Sequence, residues 1–416
     1  MPLFGDAVGY AHAASDIAQH GFSKAFYLAN LRTYGYPTFL VPAVWLASGS
    51  KAQALRWIIG AMQLAVYLGA AAYLGRRLFS LGLATAARWL YPAACANIFC
   101  LIYATHVLTE TLSVTLNLLT VAFAFSLVVD AEKPWRWSFF LGLVTGAAVA
   151  VRPSNLYLIP FALACIAIRL TVQRPRRPMM HCALALVLSS ALCLPTGLQI
   201  VNNWRFFGVV TPFVVEKLGR SQLLGGKQFL KYMTIVKADG AAPGWYPNPF
   251  YQVKQDPCPD EVWPWYRSQP YRALITVALK AFNLVDQDFA QPYNAVRDPW
   301  YRWPLSLLNH LLLFIGALGL WKMQTAGKSA QRLVATVCAV FALANVGMFL
   351  LTSVEGRYGL PLLALVPVAM PEGFACMKEW AFYDGDKFRK LLLVASIYLL
   401  AGLTLSNWVH GLVLFS

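Results

Sequence analysis

Five ionisable side chains interrupt apolar sequence without belonging to polar loops: Asp6, Glu110, Arg152, Glu355 and Arg357. A charge at membrane depth costs about 2.5–3.5 kcal/mol even on the lenient insertion scales, so each needs a partner or a wet cavity. Arg152 stands before Pro153 at the end of a short apolar segment. A guanidinium there is a fixed planar cation suited to a phosphate. It is equally suited to an ion pair with Glu110 or Glu355, or to snorkelling toward lipid headgroups. In Glu355-Gly-Arg-Tyr-Gly-Leu-Pro361, Arg357 and Tyr358 open a span at the level of a lipid phosphate. The same two residue types routinely anchor helix ends at the interface. Thr105-His-Val-Leu-Thr-Glu110 opens another span, and Glu110 follows His106 by about one turn, within reach of a buried hydrogen bond. That local partner favours a structural over a catalytic role for Glu110. Asp6, in Phe4-Gly-Asp-Ala-Val-Gly-Tyr10, reads by itself as a cap or a solvated charge.

The chain that must position these groups has 416 residues, 58% hydrophobic and 12% charged, with mean hydropathy +0.54. Soluble domains carry about 25% charged residues, so the main solvent is lipid. The net charge of +16 is gathered in short breaks between apolar stretches: Arg76 and Arg77, Lys133 and Arg136, and the stretches 169–177, 322–332 and 378–390. That is the positive-inside bias, with anionic lipid headgroups as partner, and it excludes a nucleic-acid partner. Of eight cysteines, seven lie in or beside apolar stretches, where cysteine acts as a small buried hydrophobe. Only Cys258 lies in the large polar loop, no disulfide framework follows, and no Cys/His spacing suggests a metal.

Apolar segments near 54–75, 79–102, 107–129, 137–151, 155–172, 180–201, 303–321, 330–351, 358–376 and 390–413 predict about ten transmembrane helices. The fold class is an all-α polytopic membrane protein. Its regions are an extracytoplasmic N-terminal segment (1–53), helices (54–202), one large extracytoplasmic loop (203–302) and C-terminal helices (303–416). Alternating from the basic break at 169–180 puts 103–106, 152–155, the large loop and 352–357 outside, so all five ionisable residues fall on or near one face. Residues 12–26 predict a short amphipathic helix, Tyr34-Gly-Tyr-Pro37 a break, and 38–47 an interfacial or re-entrant piece. The topology places this N-terminal segment outside, which favours a further span upstream of Met1. The large loop, dense in Trp, Tyr, Pro and Gly, is expected to be ordered without much regular structure.

In this order and on this side, the segments resemble the GT-C class of membrane glycosyltransferases. The nearest group is the bacterial relatives of protein O-mannosyltransferases (glycosyltransferase family 39) and of lipid A aminoarabinose transferases. The resemblance rests on Gly5-Asp6 with Tyr10, Tyr34-Gly-Tyr-Pro37, Leu108-Thr-Glu110, the Gly-rich stretch from Gly142 to Arg152-Pro153, Asn203-Trp-Arg-Phe-Phe-Gly208 with Pro212, and Glu355-Gly-Arg-Tyr with Pro361. It covers nearly the whole chain except the family's first transmembrane helix. The resemblance implies a GT-C-like bundle in the inner (plasma) membrane with an active site on the extracytoplasmic face. It implies a polyprenyl-phosphate sugar donor, inversion at the anomeric carbon, and an acceptor that is a lipid, a glycan or a protein. Asp6 becomes the general base. Arg152 and Arg357 become the cations on the departing phosphate, assisted by Tyr358, Lys217 and Arg220, with Tyr10, Glu110 and Glu355 also lining the substrate site. No cofactor and no metal is required.

Two other classes compete. A transporter or lipid flippase tends to show paired halves with matching broken helices, and no internal repeat is visible here. A non-catalytic assembly subunit of a cell-envelope complex is the third reading.

Overall fold

The computed structural model describes residues 6–22, 33–47, 52–130, 132–172, 178–213, 223–227, 261–288, 300–352 and 354–414. All regular structure among them is helical. Eight of these helices are long and apolar enough to cross a membrane: 53–80, 109–129, 153–172, 182–207, 302–325, 329–350, 356–383 and 385–411. The chain is thus an all-α polytopic membrane protein, the class in which backbone polar groups satisfy one another inside lipid. It divides into two compact units, 1–218 with 328–344, and 219–327 with 345–416.

The first unit contains α1 (Asp6–His20), α2 (Gly35–Leu46), α3 (Ala52–Ser80), α4 (Ala84–Ala96), α5 (Ile98–Ala104), α6 (Thr109–Val129), α7 (Pro134–Val151), α8 (Leu158–Val172) and α9 (Pro178–Phe207). Its axis is α6, whose most apolar stretch is 78% buried against 39% for that of α3. Buried Ser113 and Asn117 on α6 both donate to Asn155 Oδ1, at 3.0 and 3.2 Å. Two small-residue contacts fix the neighbours. In Gly142-Leu-Val-Thr-Gly146, a Cβ on either glycine would overlap the Leu188 or Leu192 carbonyl of α9. Gly35, at the start of α2, sits against the Ala150 carbonyl of α7 in the same way. Only glycine lets the backbones meet this closely.

Several expectations are corrected. The apolar stretch 79–102 is two helices, because Pro92 lies within α4 and Asn97 starts α5 by accepting from Cys100 N at 3.2 Å. The first helix begins at Asp6 and stops at His20, with Gly21 at φ +65° where a left-handed residue ends a helix; residues 23–32 lie outside the described residues. Arg169 is not a loop charge. It is 1% exposed and donates to the Leu127 carbonyl, and to that of Asp130 at 2.7 Å, so it caps the C-terminal end of α6. Cys95, Cys182 and Cys193 are exposed on helix surfaces while Cys100, Cys165, Cys338 and Cys376 are buried; Cys258 lies outside the described residues. By contrast, α7 is short as expected and stops where Arg152 takes extended angles (φ −151°, ψ 114°), the conformation that a following proline imposes.

The second unit contains α10 (Trp263–Ser268), α11 (Pro270–Val285), α12 (Arg302–Thr325), the last residues of α13 (Ser329–Leu350), α14 (Leu360–Tyr383) and α15 (Gly385–Leu414). Helices α12 and α14 pack through Gly319 against the Ala369 carbonyl and Gly373 against the Ile315 carbonyl. The large loop carries more regular structure than its composition predicts. Helix α11 buries Ala273, Thr276, Leu279, Lys280, Asn283 and Leu284 on one face, a stripe disguised by polar residues.

The close glycine contacts between α7 and α9 give a direct test. Gly146→Val must push α7 and α9 apart, at a cost of about 1–3 kcal/mol, and is expected to lower the melting temperature of the detergent-purified chain. Gly197→Ala, with nothing within 4 Å of the added carbon, is expected to keep it or raise it slightly, since alanine favours the helix. Equal melting of the two variants would contradict the packing.

Candidate active site

The ionisable residues of the first unit sit at helix ends. Glu110 lies in the first turn of α6, and Arg152 follows the last turn of α7. Each charge therefore faces the helix-dipole end that favours it. They meet: Arg152 NH1 is 3.1 Å from Glu110 Oε1, with side chains 15% and 2% exposed. The pairing with Glu110 is one of the uses expected of Arg152. The expected His106–Glu110 hydrogen bond is replaced, since His106 Nδ1 lies 3.0 Å from the Ile102 carbonyl and 3.1 Å from the Thr105 hydroxyl.

The segment after Arg152 is locked. Asn155 N donates to the Arg152 carbonyl at 2.9 Å and Asn155 Nδ2 to the Ala148 carbonyl at 2.9 Å, while Tyr157 OH donates to Asn117 Oδ1 at 2.6 Å. Sequence reasoning missed this staple. Its signal was Ser113 and Asn117, four residues apart on one face of an apolar helix.

Asp6 is half-buried in the first turn of α1. The adjacent Ala7 belongs to the same buried cluster as Val107, Leu112 and Val151, neighbours in sequence of Glu110 and Arg152. Tyr10 packs edge-on to Tyr36, ring centroids 4.9 Å apart. The Tyr36 phenol donates to Gln63 Oε1 at 3.0 Å, and Gln63 Nε2 donates to the carbonyls of Ala104 and His106 at 3.0 and 2.8 Å. Burial first, then Tyr10 and Glu110, holds the Tyr36 phenol well above its usual pKa, so it stays a neutral donor.

In the second unit, Arg357 grips Glu355 through two nitrogens, Nε to Oε2 at 2.8 Å and NH2 to Oε1 at 3.0 Å. Tyr358 stacks on Phe349 at 5.0 Å. The loop is held from α11: Gln287 Nε2 donates to the Gly356 carbonyl, and Gly359 lies so close to the Leu284 carbonyl that a Cβ would overlap it. Lys217 and Arg220 lie outside the described residues.

The second unit also buries polar groups that were read as loop charges or overlooked. Asp286 Oδ1 accepts from Ser306 Oγ at 3.1 Å and lies 3.3 Å from His310 Nε2, whose Nδ1 is 3.2 Å from Tyr398 OH. Arg302 lies 3.6 Å from Asp288 and donates to Asn407 Oδ1 at 3.0 Å. Asn309-His310, polar in the middle of an apolar run, was the available signal. Lys280 donates to the carbonyls of Gly226 and, at 3.3 Å, Leu350. Burial pushes its ammonium down to about 7. Among the described residues no three His, Cys, Asp or Glu side chains gather as a metal site.

No family model matches this sequence, and no curated protein matches it. Solved structures that resemble the chain include two glycosyl-transfer proteins of membranes. One is the archaeal oligosaccharyltransferase AglB from Archaeoglobus fulgidus, in complex with an inhibitory peptide and a dolichol-phosphate. Its TM-score is 0.46 at 11% identity, over 97% of this chain and 52% of that one. The other is ArnT from Cupriavidus metallidurans in the apo state, with TM-score 0.38 at 15% identity, over 88% of this chain and 73% of that one. The chain spans about half the length of AglB.

Two predictions follow from the buried charges. Removing one member of the Glu110–Arg152 pair strands the other, at a cost of about 3–5 kcal/mol. Glu110→Gln with Arg152→Met is therefore expected to lose much less stability than the two single losses added together; simple additivity in denaturant melts would contradict the pairing. Lys280 has a folded pKa below its unfolded one, so the fold carries a penalty that is complete below pH 7 and fades as pH rises toward the unfolded value. Wild type is expected to gain stability between pH 7 and 10, and Lys280→Met to lack that gain. Parallel stability curves for the two would contradict the burial.

Proposed function

We propose that this chain is a membrane glycosyltransferase that moves a sugar from a polyprenyl-phosphate donor to an acceptor hydroxyl on the extracytoplasmic side of the inner membrane. The observation that carries this reading is Arg152: a guanidinium at a helix end, gripped by buried Glu110 and still 15% exposed. A guanidinium pinned at a helix end by a buried carboxylate is a preorganised phosphate site. The ordered motif series, from Asp6 and Tyr10 through Glu110 and Arg152 to Glu355, Arg357 and Tyr358, supports the same assignment.

In the proposed reaction Asp6 accepts the proton of the acceptor hydroxyl as its oxygen bonds to the anomeric carbon. On the opposite face of the sugar, the bond from that carbon to the phosphate oxygen breaks. The configuration inverts, and polyprenyl phosphate departs with the electron pair. Arg152 takes the charge that develops on the phosphate. Arg357, held by Glu355, and Tyr358 are given the same task, with Lys217 and Arg220 as further cations. Tyr10 orients the substrate beside Asp6. The acceptor is a lipid, a glycan or a protein.

The test is transfer from a labelled polyprenyl-phosphate sugar in liposomes. Asp6→Asn is expected to lower the rate by about 10²–10⁴-fold, the usual worth of a positioned base, with folding unchanged. A rate equal to wild type would remove Asp6 from the role. Transbilayer movement of lipid without any transfer would instead favour a flippase.

A further inference from the structure

The first unit holds another feature away from the Glu110–Arg152 pair. A groove of about 570 Å³ lies between α3, α6 and α7, with walls of Phe39, Val66, Leu112, Leu116, Leu119 and Phe140. That volume is within the range of built ligand sites, about 300–1,000 Å³. Along α6 its lining extends from Leu112 to Phe123, a length of about 16 Å at 1.5 Å per residue. The groove is apolar except at Thr115, whose hydroxyl donates to the Thr111 carbonyl at 2.8 Å, and where Tyr73, Arg136 and Trp137 join its lining.

Two guanidiniums crowd that end. Arg77 lies over the Trp137 ring at 4.1 Å and donates from Nε to Tyr73 OH at 3.1 Å. Arg136 lies 5.2 Å from the same ring and 5.8 Å from Phe140. The ring itself is fixed, because its N–H donates to Asp130 Oδ2 at 2.9 Å. Among the described residues neither Arg77 nor Arg136 pairs with a carboxylate. Asp130 is nearby, but its carboxylate accepts from Trp137 and from Glu132 N. The two charges are thus positioned beside an aromatic ring, and neither forms an ion pair among the described residues.

We infer that this groove holds an acyl chain of an anionic phospholipid, whose phosphate is bound by Arg77 and Arg136. A long apolar slot that ends in paired cations fits a molecule with an apolar chain and an anionic head. The basic breaks that carry Arg77 and Arg136 are those the charge rule assigns to the cytoplasmic leaflet, where such lipids are found. This phosphate site is separate from the proposed donor phosphate. Arg136 opens α7 and Arg152 follows its end, so the two lie about 24 Å apart along the helix.

The experiment measures melting of the detergent-purified full chain against added lipid. Phosphatidylglycerol is expected to raise the melting temperature saturably. Phosphatidylcholine with the same chains, glycerol phosphate and inorganic phosphate are expected not to. Arg77→Gln and Arg136→Gln are each expected to raise the half-saturating concentration about fivefold, at about 1 kcal/mol per charge. Leu116→Trp, which fills the slot and leaves both cations, is expected to abolish the shift. Equal stabilisation by phosphatidylcholine, or an unchanged half-saturation in both arginine variants, would overturn the assignment. So would displacement of phosphatidylglycerol by polyprenyl phosphate with a dependence on Arg152 rather than Arg136, which would give the groove to the donor.

Discussion

A buried carboxylate and a guanidinium cannot be left alone in a medium that solvates neither, and the first unit is arranged around that constraint. Glu110 is 2% exposed and has Arg152 3.1 Å away. Breaking such a pair costs more than it gains by forming, because the survivor keeps its full desolvation penalty. The surrounding backbone holds the two together. Proline 153 ends α7 at the right residue, Asn155 ties the next turn to α6, and glycine at position 35 lets α2 sit on the last turn of α7. None of these contacts is catalytic. Together they fix one guanidinium to a rigid frame at a helix end.

The second unit solves the same problem by another local route. Glu355 and Arg357 are two residues apart, on a turn that Gln287 clamps and that Gly359 presses against α11. In each unit an arginine is gripped by a buried glutamate, so its geometry is set before any ligand arrives. Preorganisation of this kind is what stabilises a developing phosphate charge, since nothing has to reorient as the bond breaks. The groove beneath Phe39 and Leu112 follows different logic: its cations are held by stacking on Trp137 and have no carboxylate among the described residues. In the proposed scheme the gripped arginines take a transient charge and the ring-stacked ones a resident anion.

Much of this was legible in the sequence because the bilayer simplifies the code. Apolar runs near 20 residues and alternating basic breaks are long-range signals that single residues do not blur. Glu110, Arg152, Glu355 and Arg357 stood out as charges in apolar sequence, and all four are paired in the fold. What stayed hidden was local. The division of 79–102 at Asn97 depends on one capping side chain in an apolar run. Arg169 looked like one more loop cation, although it caps the carbonyls of another helix. Asp286, His310 and Lys280 were masked because a polar residue on the buried face of a helix breaks the very pattern that reveals burial. That Arg152 meets Glu110, 42 residues away, is a tertiary fact that spacing alone cannot supply.

The most direct measurement is binding of an unglycosylated polyprenyl phosphate to the purified chain, compared with the corresponding polyprenol. The account predicts that Arg152→Gln weakens the phosphate form by about tenfold or more, the worth of a charge-assisted contact. Binding of the polyprenol should not change. Equal affinity of wild type and variant for the phosphate would show that the pinned guanidinium serves only its glutamate, and would contradict the account.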